Sequence, residues 1–235
     1  MIFTVVTKIT ARNLDHQVGP NQTGIFTMFH ILKIWLVKTI AIFTAVSLFI
    51  LGACATKVKL PQPAPQMTKM YLLKYSTWGH HSLVFYEEGM LTEYTYGDWE
   101  LFALNKRDAW TAWKNMTFLT QGALGKKSIS WQPGESLCEK FKDCETATSF
   151  YAPTENVFAL QKELHNAYQD QSRSEIYNAP EDVYFVKYPP SYWAFHNCNH
   201  ELAHWLQLLG ADISGRVFYK PDFLGGMEPK QETIP

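Results

Sequence analysis

"FHNCNHELAHWLQLLG", Phe195 to Gly210, has two readings that lead to different chemistry. It contains His200-Glu201-Leu202-Ala203-His204, an H-E-x-x-H string. On a helix, that string puts two imidazoles on a zinc ion and a carboxylate beside it as general base. Two residues earlier stands Cys198. The apolar spacing of Leu202, Trp205, Leu206 and Leu209 predicts a helix that starts near Asn197 and stops at Gly210. A thiol at such a start faces unpaired backbone N–H groups and the positive end of the helix dipole. Both favour the thiolate, which is the nucleophilic form.

The zinc reading lacks a third ligand. A catalytic zinc takes three protein side chains. The extended pattern H-E-x-x-H-x-x-G-x-x-H would need glycine at position 207 and histidine at position 210, where the chain has Gln207 and Gly210. The other common arrangement takes a glutamate from a helix downstream. The remaining "PDFLGGMEPKQETIP" is too rich in proline and glycine for that helix, and its only glutamates are Glu228 and Glu232. The expectation is a site without a cofactor, with zinc on His200 and His204 as the alternative.

The chain's 235 residues, 46% hydrophobic, suffice for one well-packed domain and not for two large ones. A formal charge of -1 argues against nucleic acid as a partner. Lys33 and Lys38 precede "TIAIFTAVSLFILGA" (39 to 53), an uncharged run of signal-peptide length. It ends in Leu51-Gly52-Ala53-Cys54, which looks like a lipobox whose cysteine carries lipid. Met28 is a natural start for such a signal. The expected organisation is therefore an upstream extension over 1–27, a lipoprotein signal over 28–53, a proline-rich tether over 54–66, a domain over 67–225 and a tail over 226–235. The mature chain has 17 Lys and Arg against 21 Asp and Glu, a charge of about -4. It hangs from a membrane, at the periplasmic face and in an oxidising compartment. Cys138 and Cys144 bracket the short loop "CEKFKDC" and are expected to pair there. Cys198 is left over, and a spare thiol in an exported protein asks for a reason. The bland reason is a buried, inert side chain.

Strands are predicted at 70–76, 81–87 and 91–98, with "EEGM" as the turn between the last two, and again at "KSISWQP" and 183–190. A helix is predicted over 105–119, with Ala109, Trp110, Trp113 and Met116 as its core-facing stripe. A second follows Thr154, read as its cap, and buries Val157, Leu160, Leu164 and Tyr168. The class is α+β, one domain, an antiparallel sheet packed against helices.

A thiol nucleophile needs a base, usually histidine, and "WGHHSLVF" offers His80 and His81 where a strand begins. A histidine early on a strand, followed much later by N-C-N opening a helix, resembles the circularly permuted papain-like hydrolases. These include the LRAT-like, PPPDE and permuted NlpC-like families, in which the usual cysteine-first order is reversed. The chain more closely resembles an uncharacterised bacterial family with H-T-G-L-V, W-G-D and C-N-T-W-T-A segments. Here they correspond to "HHSLV", "YGDW" and "CNHELAHWLQLLG", within roughly residues 70 to 215. The resemblance implies a permuted papain-like domain with Cys198 as nucleophile. It places the base three residues before an apolar strand residue, which selects His80, three before Leu83. The histidine–serine pairing would select His81. Asp98 matches the family's G-D and is the first choice for orienting the imidazole; Glu93, Tyr94 and Tyr96 lie on the same segment. Ser82 replaces the family's glycine, Tyr96 its tryptophan and His200 its threonine. The implied chemistry is amide or ester hydrolysis, or acyl transfer, on a peptide, peptidoglycan or lipid-type substrate. An inactive papain-like binding module is the further alternative.

Overall fold

A computed structural model describes residues 33–44, 56–76, 80–215, 217 and 223. The lipobox with Cys54, the extension over 1–27 and the tail over 226–235 lie outside them. The chain divides into two units, Met1–Ala53 and Cys54–Pro235. In the first, residues 33–44 form helix α1, whose apolar side chains are exposed on every side. No helix among the described residues is long and apolar enough to cross a membrane.

The second unit is α+β. Seven strands form one antiparallel sheet in the order β6-β2-β3-β4-β5-β8-β7. They are β2 (Met67–Tyr75), β3 (His81–Glu87), β4 (Met90–Asp98), β5 (Thr120–Ser130), β6 (Cys144–Pro153), β7 (Ile176–Asn178) and β8 (Val183–Tyr192). Glu88 and Gly89, both at positive φ, make the two-residue turn that joins β3 to β4 with the twist a hairpin needs. Helices α4 (Thr154–Asp170) and α5 (Cys198–Leu208) cover one face of the sheet. Leu83, Phe85, Tyr94 and Tyr96 on that face pack with Leu160, Leu164, Leu202 and Leu206 in the main core. The opposite face carries a smaller core of Tyr71, Leu73, Val84, Leu91, Trp131 and Phe141. There the short helix α3 (Leu137–Lys140) begins the loop that Cys138 and Cys144 close as a disulfide, Cα atoms 4.9 Å apart.

Strands β6 and β7 have no counterpart in the sequence expectation, and four predicted segments differ from it. The tether is not free chain: Lys57–Lys59 is strand β1, antiparallel to β9 (Asp212–Ser214), and Val58 enters the main core. The strand read at "KSISWQP" is only the end of β5. Its first half is masked in sequence by Gly122 and Gly125, which weaken a strand pattern. Both are needed for close approach: a Cβ on Gly122 would sit 2.2 Å from Pro190 O, and one on Gly125 2.5 Å from Thr95 Cγ2. Thr154 is the first helical residue of α4, following Pro153, and its hydroxyl accepts from Thr68 rather than capping the helix. Helix α2 (Ala109–Thr117) is shorter than 105–119 because Asp108 caps it, accepting from Thr111 N at 3.0 Å. Its stripe of Trp110, Trp113 and Met116 faces outward, and Thr111 and Asn115 face in.

Candidate functional site

Helix α5 is fixed at both ends. Asn197 has extended backbone and caps the start: its Oδ1 accepts from Asn199 N at 3.0 Å and from His200 N at 3.4 Å, and also lies 3.0 Å from His200 Nδ1. At the other end, Gly210 at φ +94° lets its own N–H reach Gln207 O and Ala211 N–H reach Leu206 O, each at 2.9 Å. Cys198 is therefore held as the first helical residue, partly exposed and free of any disulfide.

A cavity of about 350 Å³ reaches from the sheet face opposite α4 and α5 to this helix start. Cys198 lines it with Asn197, Asn199 and Tyr192. On the sheet side it is lined by Tyr75, His80, Glu93 and Thr95, with Phe102, Phe141 and Phe185 among its apolar walls. The structure thus brings His80 and Cys198 to one cavity. His81, one residue on, is the first residue of β3 and takes the opposite direction. It is buried, and its ring meets Phe223 edge-on at 5.3 Å.

His80 is placed by three contacts. Its Nε2 is hydrogen-bonded to Thr95 Oγ1. Its ring lies against Phe102, centroids 5.2 Å apart. Its carbonyl accepts from Tyr75 N at 2.8 Å. Phe102 belongs to a single π-type turn, Trp99–Ala103, and packs over Gly97, where a Cβ would come within 2.3 Å of its ring. The glycine of "YGDW" is thus the space that lets an aromatic ring reach the imidazole.

Asp98 does not orient His80. Its Oδ1 accepts from Leu101 N at 2.8 Å and its Oδ2 from the Thr120 hydroxyl, so it caps the π-type turn. Thr95 is the β4 side chain on the imidazole, and the sequence reading missed it. The signal was there: Thr95 shares strand parity with Glu93, on the face opposite Tyr94 and Tyr96. Glu93 itself accepts a hydrogen bond from Tyr75 Oη. Burial raises its carboxyl above the usual range, opposed by hydrogen bonds from Ser82 and Tyr75 and by the Lys127 charge.

Burial favours the neutral forms of both Cys198 and His80. Burial pushes the Cys198 thiol up to about 11, against the N–H groups of Asn199 and Cys198 and the Tyr192 hydroxyl, which favour the thiolate. Burial and the neighbouring His81 push the His80 imidazole down to about 3. Both shifts disfavour a resting thiolate–imidazolium pair, one of the arrangements a cysteine–histidine site allows.

The H-E-x-x-H string is helical but does not build a metal centre. Glu201 is buried and turned inward, accepting from Trp205 Nε1 at 3.0 Å and lying 3.1 Å from His196 Nε2. His204 is exposed and His200 half-buried near the cap. Among the described residues, no third His, Cys, Asp or Glu joins them in a group able to hold a metal ion.

Comparison with known protein families, with curated proteins and with solved structures finds no match to this chain.

Proposed function

We propose that the second unit is a permuted papain-like thiol hydrolase or acyltransferase, with Cys198 as nucleophile and His80 as general base. The observation that carries this reading is the shared cavity. It joins a partly exposed thiol at a helix start to an imidazole from the sheet, in a space large enough for a small acyl group and its carbonyl. His80 Nε2 is held by Thr95, and Nδ1 has no hydrogen-bond partner among the described residues. With Nε2–H donating to Thr95, Nδ1 is the lone pair free to take a proton.

The steps follow from that arrangement. Burial penalises a thiolate or an imidazolium formed alone. Proton transfer from the thiol to the imidazole, with substrate in the cavity they share, therefore accompanies attack and does not precede it. The sulfur adds to an amide or ester carbonyl. The N–H of Cys198, at the start of α5, is the donor for the developing oxyanion; that of Asn199 is held by the Asn197 side chain. The imidazolium returns its proton to the leaving amine or alcohol, and the acyl thioester passes to water or to another acceptor. With Cys54 lipidated, this chemistry sits at the periplasmic face of a membrane, where peptides, peptidoglycan and lipids are within reach.

An activated acyl ester tests the proposal. Peptide-level mass spectrometry is expected to find the acyl group on Cys198, with labelling lost in Cys198→Ala. Labelling that persists in Cys198→Ala overturns the assignment. No labelling of the folded wild-type protein counts against the enzyme reading and in favour of the binding-module alternative.

A further inference from the structure

Helix α2 is built inside out. Its buried side chains are Thr111 and Asn115, and its outward ones are Trp110, Trp113 and Met116, exposed by 66%, 49% and 51%. The loop after it continues the pattern with Phe118 and Leu119, exposed by 53% and 69%. Trp110 and Trp113 stack at 4.9 Å, and Trp113 meets Phe118 at 5.4 Å, so the side chains form one continuous surface. A water-facing helix normally turns its apolar stripe to the core. A contiguous apolar face of this kind marks an interaction site.

We propose that Trp110, Trp113, Met116, Phe118 and Leu119 form a membrane-docking face that enters the headgroup–acyl boundary of a lipid bilayer. Three observations choose this occupant. The residue types are those of the bilayer interface: two tryptophans beside phenylalanine, leucine and methionine. The charges around the face balance, Lys106 and Lys114 sharing Glu100, Arg107 with Glu181, and Asp108 at the helix cap as the third acid, so it offers no net charge to a polar partner. On the lipobox reading Cys54 carries lipid, and β1 begins three residues after it. That length spans no more than roughly 11 Å, which keeps the second unit close to the bilayer holding that lipid. Met116 also lines the cavity of Cys198, so docking brings the rim of that cavity to the lipid surface. The inference does not depend on the thiol chemistry.

The test uses the full chain on phosphatidylcholine vesicles that carry brominated acyl chains. Whatever α1 does, docking is read at the face, as the difference in emission between wild type and Trp110→Phe/Trp113→Phe. That difference is expected to be quenched by the bromines, protected from aqueous acrylamide, and unchanged by added salt. Phe118→Ser/Leu119→Ser, at exposed positions, is expected to reduce the bromine quenching by about threefold or more while circular dichroism stays the same. Two results overturn the proposal. In one, Trp110 and Trp113 are as open to acrylamide on vesicles as in buffer. In the other, they are protected without lipid in particles of twice the monomer mass, which assigns the face to a second copy of the chain.

Discussion

At the scale of single residues, the account rests on one sulfur and one ring. With the Cys198 thiol near 11, only about one molecule in ten thousand holds a thiolate at pH 7. His80, near 3, is neutral throughout the physiological range. The sign of both shifts gives the pH dependence. Alkylation of Cys198 in the free protein should rise about tenfold per pH unit from pH 6 to pH 10, with no plateau. Following iodoacetamide incorporation at the Cys198 peptide checks this. A plateau already reached below pH 7 would mean a resting ion pair and contradict the burial argument. Cys198 at the start of a helix was legible in sequence through the apolar spacing after it, and the spacing to Leu83 picked out His80, the histidine that lines the cavity. Thr95 was not, because no motif marks a hydroxyl whose role is set by strand parity. Asp98 was misread because an acidic residue in a motif looks like an orienting group, whereas here it caps a turn.

At the scale of elements, periodicity served where one face is apolar and failed where it is not. Helix α4 buries the four residues expected of it, and β3 and β4 have nearly the expected bounds. Strand β6 gave no signal because it is a polar edge strand, with most of its side chains outside the core. Helix α2 gave a misleading one, since an apolar stripe does not say whether it faces the core or another phase. Gly97 shows how an element sets the site without touching substrate. Gly97→Ala forces its new methyl against the Phe102 ring, which packs on His80. The expected cost is about 1–3 kcal/mol of stability, with a lower rate of Cys198 acylation in the protein that remains folded. Denaturant unfolding and the acylation rate check the two parts. A variant with wild-type acylation would show that Phe102 does not position the imidazole.

At the scale of the whole molecule, the chain order matters most. His80 comes early, just before β3, and Cys198 comes late, opening α5, and one cavity receives both. The α+β class and the antiparallel sheet were readable from alternating strands and two amphipathic helices. The entry of β1 into the fold was not, because prolines around "TKVKLPQPAPQ" read as tether until β9 supplies a partner strand. The central claim is that His80 serves Cys198 across that cavity, and the most direct measurement is the rate at which an activated ester acylates Cys198 at pH 7. The account predicts a loss of about 100-fold in His80→Ala, with His81→Ala and His200→Ala, folded by circular dichroism, within a few-fold of wild type. An unchanged rate in folded His80→Ala, or an equal loss in His200→Ala, would contradict it.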